Sequence, residues 1–160
     1  MDRRSFLKYS IAGGFAFPAF ASASRPVLDS VNERKLSFLN LHTGEKLSTT
    51  YWADGQYVEE SLLDIHKILR DFRTGEVHLI DRRLLDLLCT LQLTMGSSGP
   101  FEVISGYRSP KTNAALHAES SGVATNSLHM TGMAADIRIR DRQLRQLRES
   151  EMKRSVSLSR

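Results

Sequence analysis

The sequence predicts an α+β domain, a small and mostly antiparallel sheet with helices against one face. Two stretches, near 59–72 and 81–93, carry apolar residues at helical spacing. Around them lie short segments of alternating polarity, separated by Gly, Pro, Asn and Asp. The chain has 160 residues, 41% of them hydrophobic, enough for one core and one domain. No internal repeat or low-complexity segment interrupts the mixture.

The first 23 residues are set apart from this domain. M-D-R-R-S-F-L-K-Y-S-I-A-G-G-F-A-F-P-A-F-A-S-A has the three parts of an export signal. Arg3, Arg4 and Lys8 form a basic start, Ile11 to Phe20 a short apolar stretch, and Ala21-Ser22-Ala23 a small-residue cleavage site. The core R-R-S-F-L-K resembles a twin-arginine signal, which predicts a periplasmic address. The apolar run is too short to span a bilayer, so no stable membrane insertion is expected once the signal is removed. A retained amphipathic helix is the other reading, against which stand Pro18 and the pair Gly13-Gly14. Residues 24–34 then read as a linker, 35–140 as the folded domain and 141–160 as a basic C-terminal helix and tail.

Within the domain, K-L-S-F-L-N-L-H and E-K-L-S-T-T-Y-W flank Thr43-Gly44 as a hairpin, and Asp54-Gly55 marks its exit. A first helix over 59–72 turns Leu62, Leu63, Ile65, Ile68, Leu69 and Phe72 inward, and Gly75 stops it. Asp81 caps a second helix through about Leu93, with Leu84, Leu85, Leu87, Leu88 and Leu91 inward. F-E-V-I-S reads as a strand, and Ser109-Pro110 starts a third helix through about Ala118. A Ser/Gly loop leads into the strand M-A-A-D-I-R-I-R. Beyond it, Asp141 caps the C-terminal helix, with Leu144 and Leu147 facing in.

The formal charge of +4 gives no general case for nucleic acid. The signal stretch holds three cations against Asp2, which leaves about half of that excess for the remainder, concentrated in R-I-R-D-R-Q-L-R-Q-L-R. Such a run either leans on an anionic polymer or forms a solvated helix face. Cys89, the one cysteine, lies in an apolar helical context and reads as buried filler.

Residues 127–136, S-L-H-M-T-G-M-A-A-D, raise the question of chemistry. Strand alternation puts Ala135, Ile137 and Ile139 on the core face and Asp136, Arg138 and Arg140 on the other. His129 lies one tight turn earlier, and Gly132 gives that turn the freedom to swing the ring toward Asp136. Imidazole and carboxylate suit zinc, yet catalytic zinc normally has three protein ligands, so a loop histidine beside a strand-end acid remains the alternative. Arg108 follows a strand and a glycine, where a guanidinium either points into a groove to hold a carbonyl or decorates a helix start. His42, His66 and His78 read as structural or surface residues, and His117 is the other histidine worth testing as a ligand.

Taken together, L-N-L-H-T-G-E, S-G-Y-R-S-P-x-T-N-x-x-L and G-V-A-x-x-S-x-H-x-x-G-x-A-x-D resemble the murein endopeptidase K family. That family belongs to the periplasmic zinc D-Ala-D-Ala peptidases and shares their Hedgehog-like fold. The resemblance implies that His129 and Asp136 ligate Zn2+ and that Arg108 is catalytic, binding the substrate carbonyl or its oxyanion. It implies that Tyr107 and Ser127 also contact or shape the substrate site, with Asn113 supporting the arginine turn and Gly132 the loop. The implied substrate is the peptide stems of peptidoglycan, cut at their cross-links; the oligomeric state stays open.

Members of the family continue past the aspartate to a second histidine, the third ligand, near an acidic general base. Here the residues after Asp136 contain no histidine, and Glu149 and Glu151 fall on the expected C-terminal helix. The fold is therefore expected to be incomplete at the C-terminus and the peptidase weak or inactive. The alternative is a non-enzymatic peptidoglycan-binding module.

Overall fold

The computed structural model describes residues 9–12, 28, 31–120 and 122–140. Most of the expected export signal and linker, and the C-terminal helix expected from Asp141, lie outside the described residues. Strands β1 (Tyr9–Ala12), β2 (Glu33–Asn40), β3 (Lys46–Ala53), β4 (Gln56–Tyr57), β5 (Phe101–Ser105) and β6 (Ala134–Ile139) form one sheet, in the order β1-β6-β5-β2-β3-β4. Helices α1 (Glu59–Ile68), α2 (Arg82–Met95) and α3 (Pro110–Glu119) and a 3-10 turn at Leu128–Thr131 complete it. Only β2 and β5 run parallel, so the sheet is mostly antiparallel, as expected of the α+β class.

The hairpin closes where its residues allow it. Asn40 Oδ1 accepts from the amides of His42 and Thr43, and Gly44 takes φ +72. At the far end Asp54 and Gly55 both have positive φ, 52 and 81, the backbone a two-residue turn needs to match strand twist. That turn starts β4, a strand too short to show in the sequence pattern.

One face of the sheet buries Leu36, Phe38, Phe101, Val103, Ala135 and Ile137 in the same core as Leu62 and Ile65 of α1 and Leu84, Leu85 and Leu88 of α2. Each large side chain removed from water there contributes about 1.5–3 kcal/mol. Cys89 is buried in this core. Asp86 of α2 accepts from Arg34 Nη1, Tyr51 Oη and Tyr57 Oη, tying the helix to β2, β3 and β4.

Three expectations need correction. The first helix ends at Ile68, not Phe72, because Leu69 and Asp71 leave the helical path to bond elsewhere: Leu69 O accepts from Tyr107 N and Asp71 N donates to Glu76 O. Leu63 is 65% exposed, since it is rotated off the face that Leu62 and Ile65 share. Leu87 sits at the margin of its stripe and is likewise exposed.

Other boundaries agree closely. Asp81 Oδ1 accepts from Arg83 N at the start of α2, and Gly96 ends it in the left-handed region. Ser109 Oγ accepts from Thr112 N, and Pro110 opens α3. Residues 9–12, inside the stretch read as an export signal, form an edge strand on β6 with Ser10 opposite Asp136, a pairing the sequence pattern did not suggest. Arg138 and Arg140 both pair with the buried Glu102 carboxylate, so these two cations of the basic run are engaged within the sheet. Among the described residues no helix is long and apolar enough to cross a membrane.

Candidate active site

The site is assembled from the ends of two neighbouring strands. β5 and β6 are antiparallel, so the exit of β5 lies beside the entry of β6, with Ser105 opposite Asp136 after a register shift. After β5 the chain passes through Gly106, Tyr107 and Arg108 into α3, while β6 is preceded by the 3-10 turn that carries His129. Arg108 N donates to His129 O at 3.1 Å, which joins the two loops directly.

His129 is buried, and its ring is oriented by Gly106 O, 2.8 Å from Nδ1. A carbonyl can only accept, so Nδ1 carries the proton and the Nε2 lone pair is available. Nε2 lies 3.6 Å from Asp136 Oδ1. Ser127 Oγ accepts from His129 N at 3.4 Å and caps the turn. Gly132 leaves it at φ +67, and a methyl group there would overlap the Leu79 carbonyl.

Arg108 faces the same acid: Nη2 is 3.9 Å from Asp136 Oδ2, and its side chain is only 12% exposed. Nη1 donates to Asn113 Oδ1 at 3.4 Å, and Asn113 Nδ2 in turn reaches the Ala124 and Thr125 carbonyls. Among the described residues Arg108 Nε is buried without an acceptor. Burial lowers the Arg108 pKa and Asp136 opposes the change. The result is a held cation with one buried N–H not engaged by any described residue.

The two candidate ligands fit two corners of a zinc site. Donors about 2.0–2.1 Å from a tetrahedral ion stand roughly 3.4 Å apart, close to the spacing found here. No group of three His, Cys, Asp or Glu suited to a metal occurs among the described residues. His117 places Nδ1 2.6 Å from Val123 O. His42 stacks on Phe72, and buried His66 accepts at Nδ1 from Ile80 N. His78 stacks on Tyr107, whose N–H donates to Leu69 O.

Sequence reading missed Asp71. It is 1% exposed, and its carboxylate accepts from Ser109 N and Ser109 Oγ and, through its other oxygen, from Arg73 N. These bonds hold the residue next to Arg108. A polar residue inside a stripe read as helical, D-F-R-T-G ahead of a glycine with positive φ, was the available signal.

The family model described as Peptidoglycan L,D-endopeptidase MepK matches residues 29–157. The chain belongs to the MepK family. Peptidoglycan L,D-endopeptidase MepK of Escherichia coli (strain K12) is 38% identical over 135 residues, which cover 84% of this chain and 71% of that protein. The Shigella flexneri protein of the same name gives the same figures. Probable peptidoglycan L,D-endopeptidase MepK of Haemophilus influenzae is 39% identical over 107 residues, 66% of this chain and 58% of that one. No solved structure matches significantly. The MepK match spans every element that builds the site, from β2 to β6.

Proposed function

We propose that this protein is a peptidase of the peptidoglycan layer that binds the peptide stems and cuts their cross-links, with Zn2+ held by His129 and Asp136. The observation that carries the reading is the convergence of His129 Nε2 and Asp136 Oδ1 at 3.6 Å beside the Arg108 guanidinium. When bound, zinc supplies Lewis-acid polarisation of the scissile carbonyl and activation of the attacking water.

The chain's own residues do the rest. Gly106 O holds the His129 proton on Nδ1, so the ring keeps Nε2 toward Asp136. Arg108, fixed by Asn113 and Asp136, presents N–H donors to the substrate carbonyl, where negative charge grows as it is attacked. Tyr107 and Ser127 hold the arginine turn and the histidine turn and border the substrate. Export to the periplasm by residues 1–23 would bring the enzyme to its polymer.

A second reading has its own support. With two converging donors and no third in a metal-suited group among the described residues, the same residues suit a module that binds peptidoglycan with weak turnover or none. One experiment separates the two. The full chain is loaded with zinc, its metal content measured, and isolated sacculi digested with and without a chelator. Chelator-sensitive release of peptide fragments, lost in His129→Ala, supports the peptidase. Sacculus binding that needs Arg108 but releases nothing supports the module, and neither binding nor release removes both.

A further inference from the structure

Eight arginines lie among the described residues, and seven of them pair with a carboxylate. Arg73 is the exception: it is exposed, and no described carboxylate pairs with its guanidinium. Its place is fixed all the same. Arg73 N donates to Asp71 Oδ1 at 2.9 Å, and its Cζ lies 4.2 Å from the centroid of the Phe72 ring. His42 stacks on the same ring, with centroids 3.7 Å apart and planes 7° from parallel. An imidazole that close fills one face of the ring, so the guanidinium lies on the other. His42 Nε2 is in turn 3.0 Å from Ile104 O, next to the exit of β5.

One carboxylate connects Arg73 to the candidate active site. Asp71 accepts from Arg73 N through one oxygen and from Ser109 N through the other. Arg73 and the residue that follows Arg108 therefore hang from the same buried acid. Burial lowers the Arg108 pKa, Asp136 opposes the change, and the charge of Arg73 lowers it further, so the two guanidiniums stand within electrostatic reach. Like charges at that range repel, and no described carboxylate pairs with Arg73 to offset the cost. An anionic ligand would.

We infer that Arg73 is a second substrate-binding cation, which takes a free carboxylate of the peptide stem while Arg108 takes the scissile carbonyl. A peptide carries such groups at its chain end and on acidic residues. A guanidinium laid on an aromatic ring keeps its N–H donors in its own plane, where a pair of them matches the two carboxylate oxygens. The inference rests on the proposed peptide-cleaving site and adds to it the residue that selects acidic stems over neutral ones.

The test is calorimetric titration of the full chain with soluble muropeptides purified from sacculi, one portion with its carboxylates free and the other with them converted to carboxamides. The parent is expected to bind the free acids about tenfold more tightly. Arg73→Gln keeps the backbone N–H that Asp71 accepts, so the fold holds, and it is expected to bring the free acids down to the carboxamide affinity. Arg82→Gln, which removes a cation from α2, leaves the preference intact. Equal binding of the two forms by the parent, or an unchanged preference in Arg73→Gln, overturns the role of Arg73 and leaves the site, provided that Arg108→Ala still weakens binding. No binding of either form overturns the proposed function and the role of Arg73 with it.

Discussion

Asp71 and Ser109 stand 38 positions apart in the chain and share two hydrogen bonds, Oδ2 accepting from Ser109 N at 2.9 Å and from Ser109 Oγ at 2.8 Å. Through them the loop after α1 holds the start of α3, and with it the turn that aims Arg108. Asp71→Ala leaves Ser109 N buried without a partner and Ser109 Oγ with only the Thr112 hydroxyl. It is expected to cost about 3 kcal/mol in urea unfolding. Asp71→Asn keeps the size but turns one of the two acceptor oxygens into a donor, and it is expected to weaken muropeptide binding more than its smaller stability loss explains.

Acid should reveal the same carboxylate. Burial on its own would raise the Asp71 pKa, but hydrogen bonds from Thr112, Ser109 and Arg73 outweigh it and bring the value from 3.8 down to about 2. A depressed folded-state pKa means that the stabilisation is present above the unfolded value and disappears as pH falls through the folded one. The window therefore runs from about pH 4 to pH 2, with a loss on the order of 2 kcal/mol. Unfolding midpoints measured across that range should fall in the parent and stay flatter in Asp71→Asn.

His66 gives a second, milder acid response. Burial lowers its pKa from the ordinary 6.5, Glu59 opposes the change, and His78 and Arg82 add to it. Its neutral Nδ1 accepts from Ile80 N, and a protonated ring cannot. Stability is thus complete above about pH 6.5 and declines below it. Replacement by Gln, uncharged and able to accept, should remove that slope in denaturation curves taken from pH 7.5 downward.

Two glycines permit the close contacts that bring the loops together. A methyl on Gly106 would overlap the Leu69 carbonyl, and one on Gly132 would overlap the Leu79 carbonyl at a positive φ. Both neighbours are backbone and cannot rotate away. Gly106→Ala and Gly132→Ala are each expected to destabilise by about 2–3 kcal/mol or more, whereas Gly44→Ala, with nothing near it, pays only for its φ of +72, about 1 kcal/mol. Thermal denaturation of the three variants would rank them; a Gly132→Ala protein as stable as Gly44→Ala contradicts the packing described.

Arg108→Ala should weaken muropeptide binding roughly ten- to hundredfold, the worth of charge-assisted hydrogen bonds to a carbonyl or carboxylate. Arg108→Lys should recover little, because a point ammonium cannot reach Asn113 and Asp136 while still presenting a third donor. His129→Ala and Asp136→Ala should each abolish stoichiometric zinc uptake in calorimetric titration, leaving the unfolding midpoint within a few degrees of the parent.

Local rules carried much of the fold. The hairpin at Thr43-Gly44, the Asp81 cap of α2, the Ser109-Pro110 start of α3 and the face alternation of β6 each depend on neighbours a few residues away, so each could be read directly. The end of α1 could not. Its apolar spacing continues to Phe72, but Leu69 and Asp71 are drawn out of the helix by Tyr107 and Ser109, partners far along the chain.

The candidate site divides in the same way. His129, Asp136, Arg108, Tyr107 and Ser127 were identifiable by residue type, order and family resemblance, because motif spacing survives in one dimension. Tertiary structure alone decided that Gly106 O sets the His129 tautomer, that Asp71 moulds the arginine turn, and that His78 stacks on Tyr107 beside it. Those relations join loops whose distance in space depends on the register of β5 against β6 and on two glycines narrow enough to let backbones touch. A linear pattern records which groups are available, while their convergence is set by packing over the whole domain.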